Sequence, residues 1–263
     1  MGGGNPLVLL AGPCVIENEE KTLAIAAELK EICAEVGVGL VFKASYDKAN
    51  RTSVDSFRGP GLAEGLRILS KVKEMYSLPV VSDVHDISQI EPASEVLDII
   101  QIPAFLSRQT DLLVAAGESG RIINVKKGQF MAPWDMKNAV GKIESTGNQN
   151  IVLTERGASF GYNNLVTDMR SLVIMRDLGC PVVFDATHSV QLPGGAGTAS
   201  AGQRQFVGDL SRAATAVGID GLFWEVHPDP DEALCDGPNS LYLKDVRGML
   251  ETMMTIDKLV KGY

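Results

Sequence analysis

The chain has 263 residues, 45% of them hydrophobic, and a net charge of −9. That is enough for one large domain with a sizeable core, and its acidic balance argues against general nucleic-acid binding. No apolar run approaches the roughly 20 residues of a membrane span, and the opening MGGGNP has neither the charged nor the apolar region of a signal peptide.

Cysteines stand at 14, 33, 180 and 235, with no CxxC and no framework spacing, as in a reducing cytosol. A cytoplasmic protein with neither a membrane nor a nucleic-acid partner is expected. The first strand run, at 7–11 in LVLLAGPC, leads to Cys14. Ile25, Leu29, Ile32 and Val36 then recur at helical spacing, and Gly37 supplies a stop. A second run, at 39–44, carries Lys43 into the long polar loop KASYDKANRTSVDSFRGPG. The third, at 79–83, ends in SDVH with Asp83 and His85; the fourth, at 97–102, brings Gln101 and then Arg108. Runs at 121–126 and 150–155 end in Lys126 and Arg156. The seventh, at 181–185, precedes His188 and the loop THSVQLPGGAGTASAGQ. The eighth, at 220–225, ends in Glu225, and Asp236 lies in the loop after it. Leu243, Val246, Leu250 and Met253 mark a last helix. Near-continuous apolar strands alternating with amphipathic helices, without a linker, predict a single-domain α/β protein, a (β/α)8 TIM barrel. A doubly wound open sheet is the alternative, but no GxGxxG follows the first strand.

In a closed barrel, strands 7, 8 and 1 are neighbours, so Cys14, His188, Glu225 and Asp236 would share the rim where such barrels do chemistry. A mixed sulfur, nitrogen and oxygen set suits a divalent metal and does not choose among zinc, iron(II) and manganese(II). Singly, each residue has an ordinary structural explanation: a buried thiol, a hydrogen-bonded imidazole, a lysine-paired carboxylate, a turn aspartate.

Lys43, Lys48, Arg51, Arg58, Arg108, Lys126, Lys127 and Arg156 lie at or beyond strand ends. So many cations at one rim of an acidic protein predict anionic substrates, phosphates and carboxylates. Asn50, Thr52, Ser53, Asp83, His85, Gln101 and Gln129 add hydroxyl-reading and proton-transfer capacity. FGYNN (160–164) and Gly194, Gly195 and Gly197 are either lids or ordinary turns.

AGPCVIE, FKASYDKANRTS, SFRGPG, DVH, QIPAFLSRQTDLL, NVKKGQF, TERGASFGYNNL, DATHSVQLPGG and EVHPDP together resemble the 3-deoxy-D-manno-octulosonate 8-phosphate (KDO8P) synthase family over nearly the whole chain. That resemblance implies a homotetrameric barrel. Its reaction condenses phosphoenolpyruvate with D-arabinose 5-phosphate and water, in the cytoplasmic route to lipopolysaccharide. It implies phosphoenolpyruvate contacts from Lys43, Lys48, Lys126, Arg156 and the backbone of Ala104. Ser45, Asn50, Arg51, Thr52, Ser53 and Gln101 would complete substrate binding, Arg108 would reach a neighbouring subunit's pocket, and Lys48, Asp83, His85 and His188 would be catalytic. The family divides into a metal-dependent class with Cys in the GPC motif and a metal-independent class with Asn there. Cys14 places the chain with the first, although CDGP (235–238) has the form common in the second. The existence of an Asn class implies that a metal's part is orientation more than Lewis acidity. Two rivals follow: a 3-deoxy-D-arabino-heptulosonate 7-phosphate (DAHP) synthase using erythrose 4-phosphate, whose second loop typically reads KPRT where this chain has KANRTS, and a non-catalytic barrel that senses a metal or sugar phosphate.

Overall fold

The computed structural model describes residues 1–51, 53–194 and 201–263. Among these, eight parallel strands form the central sheet: β1 (Val8–Gly12), β2 (Gly39–Lys43), β3 (Val80–Asp83), β4 (Ile99–Ile102), β5 (Ile122–Lys126), β6 (Ile151–Glu155), β7 (Val182–Asp185) and β8 (Gly221–His227). Helices α1 (Glu19–Val36), α2 (Leu62–Tyr76), α3 (Ile90–Val96), α4 (Thr110–Glu118), α5 (Met136–Glu144), α6 (Arg170–Arg176), α7 (Val207–Val217) and α8 (Val246–Lys261) follow the strands in turn. Val8 pairs with Gly39 on β2 and with Gly221 on β8, so the sheet has no open edge. This is a single-domain (β/α)8 barrel, and the open-sheet alternative is excluded. No helix among the described residues is long and apolar enough to cross a membrane.

Alternation along each strand divides the interior in two. Leu9, Phe42, Ile100, Leu153, Phe184 and Trp224 face the helices, while Leu10, Val41, Val81, Ile99, Val152, Val183 and Phe223 plug the barrel. Each such side chain contributes about 1.5–3 kcal/mol on burial. α1 shows how sequence sets an element: the Asn18 side chain accepts the Lys21 N–H at 2.8 Å, Ile25, Leu29 and Ile32 are buried, and Gly37 ends the helix at φ 77°.

Two details depart from the predicted boundaries. β8 runs on to His227 because Val226 and His227 pair with a short strand, Leu241–Tyr242, folded back from the following loop. Leu243 belongs to a 3-10 turn, and the last helix begins at Val246.

The apolar plug stops short of the C-terminal rim, where a polar belt replaces it. Ser45 donates to Asp83 Oδ2 at 2.8 Å and the Gln101 amide donates to Asp83 Oδ1. Asn124 Nδ2 donates to Gln101 Oε1 at 2.9 Å and Thr154 Oγ1 to Asn124 Oδ1 at 2.6 Å. The belt links the ends of β2 to β6 and forms the floor of the cavity above. Gly12 admits the loop after β1 to this rim, since a Cβ there would collide with the Lys43 carbonyl oxygen.

Candidate active site

A cavity of about 190 Å3 opens at the C-terminal rim, lined by residues from the loops after most of the strands. On one side, the ends of β7, β8 and β1 converge. His188 Nε2 lies 3.7 Å from Glu225 Oε1 and 3.8 Å from Asp236 Oδ2, and Cys14 Sγ lies 3.5 Å from Asp236 Oδ2. His188, Glu225 and Asp236 offer donor atoms within 4.8 Å of one another; Cys14, Cys235 and Asp236 form a second such group. Asp236 belongs to both.

His188 is aimed from behind. Its Nδ1 lies 2.7 Å from Asp185 Oδ2, while its backbone N–H donates to Asp185 Oδ1 at 2.9 Å. Nε2 faces the Glu225 and Asp236 carboxylates, and the Nδ1 contact with Asp185 is a close approach that falls short of an aligned hydrogen bond. Burial opposes ionisation of Glu225, but His188, Lys43, Lys48 and Lys126 hold it well below the ordinary carboxylate range. Its Oε1 faces Lys43 at 3.0 Å and Lys48 at 3.4 Å, so the expected lysine pairing is present. Its Oε2 is buried without a hydrogen-bond partner among the described residues. Burial, then the neighbouring Cys235, push the Cys14 thiol well above its usual range. The orphaned carboxylate oxygen of Glu225 and the imidazole nitrogen facing two carboxylates are donors suited to a divalent cation, and the Cys14 thiol would have to release its proton to join them.

Cations pack directly against this cluster, Lys43 and Lys48 on Glu225 and Lys126 on the Asp185 carboxylate that His188 also meets. Lys126 Nζ lies 2.5 Å from Asp185 Oδ2 and 4.1 Å from the centre of the Phe223 ring. Burial lowers the Lys126 pKa, only partly opposed by Asp185. Burial also works against the Lys48 charge, but Cys14, Glu225, Cys235 and Asp83 raise its pKa well above the usual lysine range. Arg156, 4% exposed, reaches Gln191 Oε1 at 3.0 Å and keeps Nη1 without a partner among the described residues.

Asp83 and His85 line the same cavity. Burial disfavours the Asp83 carboxylate, yet Lys43, Lys48 and Lys126 keep it ionised. Burial lowers the His85 pKa, so the imidazole is the neutral form. Its Nδ1 has no partner among the described residues, and its ring meets Tyr46 edge-on at 6.1 Å.

Lys43, Lys48, Asn50, Arg51, Asp83, His85, Gln101, Ala104, Gln129, Lys126, Arg156, His188 and Asp236 all line this cavity, with Gly194 at its edge. Cys14 and Glu225 lie just behind its wall. Several expected residues stand elsewhere. Ser45 is fully buried and braces Asp83 instead of lining the cavity. Ser53 accepts the Asp55 N–H at 3.3 Å, away from the cavity. Arg58 pairs with Asp47 at 2.5 Å, exposed. Arg108 is exposed and off the cavity, its carbonyl accepting Lys142 Nζ at 2.8 Å. Lys127 is buried 3.3 Å from Glu155, among the carbonyls of Gly128, Met131 and Gly157. Thr52, Gly195 and Gly197 lie outside the described residues. In FGYNN, Asn163 Nδ2 reaches the Pro193 carbonyl at 2.5 Å, so that hairpin touches the seventh loop.

Sequence reasoning passed over Asp185, Gln191, Phe223 and Cys235. Asp185 sits in the quoted DATH and Gln191 in QLPGG, three residues either side of His188. Phe223 was hidden because an inward-facing aromatic on a strand looks like any core residue.

A closed barrel whose C-terminal mouth gathers several buried cations is the architecture of a barrel enzyme acting on anionic substrates. The chain belongs to the DAHP synthetase I family, whose profile matches residues 1–262. It is 71% identical to the 2-dehydro-3-deoxyphosphooctonate aldolase of Syntrophotalea carbinolica over 261 residues, 99% of this chain and 94% of that one. It is 68% identical to the protein of that name from Geobacter sulfurreducens, over 99% of this chain and 96% of that one. The same name belongs to the Citrifermentans bemidjiense protein, 68% identical over 99% of this chain and 95% of that one. 2-Dehydro-3-deoxyphosphooctonate aldolase is another name for KDO8P synthase, so the family resemblance is borne out.

Proposed function

We propose that this protein condenses phosphoenolpyruvate with D-arabinose 5-phosphate and water to give 3-deoxy-D-manno-octulosonate 8-phosphate and inorganic phosphate, a step toward lipopolysaccharide. The observation that carries this reading is the cluster Lys43, Lys48, Lys126 and Arg156 in one mouth beside Asp83 and His85, in a chain 71% identical to an enzyme of that name. Carbon 3 of phosphoenolpyruvate attacks the sugar's aldehyde carbon, and the aldehyde oxygen takes a proton. Water adds at carbon 2, phosphate leaves, and carbon 2 ends as the ketone.

The protein's contribution is positioning and charge. Lys126, Arg156 and Lys43 hold the phosphoenolpyruvate phosphate and carboxylate. Lys48, kept cationic by the surrounding acids, would donate the proton to the developing alkoxide. Asp83, ionised and fixed by Ser45 and Gln101, orients the attacking water with neutral His85. Asn50 and Arg51 reach the sugar phosphate, with Thr52 and Ser53 following in the same loop.

We further propose one divalent ion, zinc, iron(II) or manganese(II), held by Cys14, His188, Glu225 and Asp236. When bound, it supplies a positive charge that orients the aldehyde oxygen. The protein is proposed to work in the cytoplasm as a homotetramer, with Arg108 completing a neighbour's sugar-phosphate site.

Phosphate release from phosphoenolpyruvate tests substrate and metal together. We expect turnover with arabinose 5-phosphate, far slower turnover with erythrose 4-phosphate, loss on chelation and recovery on adding metal back. A preference for erythrose 4-phosphate would assign DAHP synthesis instead. Tight phosphoenolpyruvate binding without phosphate release from any aldose would assign a sensor.

A further inference from the structure

We propose that Cys235 is a second sulfur donor to this metal, so that the ion is held between two thiols. The inference rests on the metal reading above and adds a ligand to it.

Cys14 and Cys235 are both buried, 5% and 3% exposed, on loops from opposite sides of the β1–β8 seam. Their sulfurs and an Asp236 carboxylate oxygen lie within 4.8 Å of one another. A thiolate binds zinc at about 2.3 Å, so two sulfurs on one ion stand at most about 4.6 Å apart. The pair stands close to that limit, so a small side-chain adjustment, with no movement of the chain, brings both sulfurs within reach of one cation.

The backbone explains how adjacent residues can serve one ion. In extended chain, Cys235 and Asp236 would point to opposite sides. Asp236 instead adopts φ 48°, a left-handed conformation costly for a residue with a Cβ. The turn is closed behind it, with the Asn239 and Ser240 N–H groups donating to the Asp236 carbonyl at 3.0 and 3.1 Å. Gly237 has no room for a Cβ against the Pro230 carbonyl. Both side chains are thereby folded into the same cavity wall.

Arg51 Nη1 faces the Cys235 sulfur, which places a fixed positive charge beside it. Two thiolates with Glu225 and Asp236 would carry more negative charge than a divalent ion neutralises. Lys43, Lys48 and Arg51 stand against these groups and offset the remainder. A sulfur-richer set also favours zinc or iron(II) over manganese(II).

Cobalt(II) is the probe. Metal-stripped protein is loaded with cobalt, bound cobalt is measured by equilibrium dialysis, and the near-ultraviolet sulfur-to-cobalt charge-transfer band is read per bound ion. We expect Cys235→Ser and Cys14→Ser each to lose about half of that band and the double variant to lose all of it, since intensity follows the number of sulfur ligands. Cys180→Ser, outside the site, should keep it. A full band in Cys235→Ser with complete loss in Cys14→Ser would overturn the second donor and leave a one-thiol metal site standing. Wild-type protein that binds no cobalt would overturn both readings.

Discussion

Lys126 is held between opposed influences. Burial against Phe223 disfavours its charge, Asp185 at 2.5 Å supports it, and the net shift is downward. A lysine with a lowered pKa loses its proton at a lower pH than an exposed lysine. Phosphoenolpyruvate binding should therefore weaken as pH rises, before the ordinary lysine range is reached. Lys126→Arg, which stays charged, should move that limb to higher pH. Lys126→Met should cost about 2 kcal/mol, roughly thirtyfold in affinity, as expected for losing a charged hydrogen-bond donor. Titration calorimetry across the alkaline range measures both; wild-type affinity that stays flat would contradict the assignment. Lys126 was legible in the sequence because it ends an apolar strand run. Its neighbour Lys127 was grouped with it, yet strand alternation turns Lys127 to the other side, where Glu155 takes it. Cys235 was read for what its motif signals about class, and its position beside Cys14 depends on a turn whose left-handed residue no pattern of hydrophobicity reveals.

At the scale of elements, the strands were the clearest part of the sequence, because parallel strands buried on both faces read as apolar runs. What the runs did not show was the packing of loop on loop. Leu241–Tyr242 extends β8 through pairing between distant residues, and a two-residue strand has no period to detect. Glu17 illustrates the functional side of this. It lies in the same loop as Cys14, its Oε2 pairs with Lys21 at 2.5 Å, and its Oε1 accepts the Leu234 N–H at 2.9 Å. His227 Nε2 stands 3.5 Å from the same carboxylate. Glu17 thus fastens the loop after β1 to the loop after β8, immediately before Cys235 and Asp236. Glu17→Ala leaves the Leu234 N–H unpaired and should lower stability by about 1 kcal/mol. Metal affinity should fall on the order of tenfold, by analogy with lost supporting hydrogen bonds around ligands. Glu17→Gln keeps an acceptor oxygen and should recover much of the affinity. Competition with a chromophoric chelator reads the difference; equal metal affinity in all three proteins would show that the clamp does not position the donors.

Across the whole molecule, one face of the rim is unlike the rest. Phe105, Phe130, Trp134, Phe160 and Tyr162 are 53%, 57%, 59%, 67% and 99% exposed, on loops after β4, β5 and β6. These loops are tied together: the Ser159 N–H donates to the Gln129 carbonyl at 2.9 Å, and Gly128 packs against the Ala104 carbonyl. Large exposed aromatics on loops tied to one another are the composition of a protein interface. Arg108 follows Phe105 in the same loop, exposed and away from its own cavity. A second copy covering the aromatic face would carry this arginine toward the neighbour, so assembly and sugar-phosphate binding should be coupled. Trp134→Glu places a charge in the middle of that face. If the proposed tetramer is built through this face, the variant should dissociate it in sedimentation experiments while leaving the circular dichroism of the barrel unchanged. The dissociated chains should retain phosphoenolpyruvate binding, which draws on residues of one subunit, and lose arabinose 5-phosphate affinity. Arg108→Ala should lose the same affinity with the tetramer intact. If Trp134→Glu dissociates the protein and arabinose 5-phosphate still binds as in wild type, each barrel holds a complete site, and Arg108 serves only its own surface.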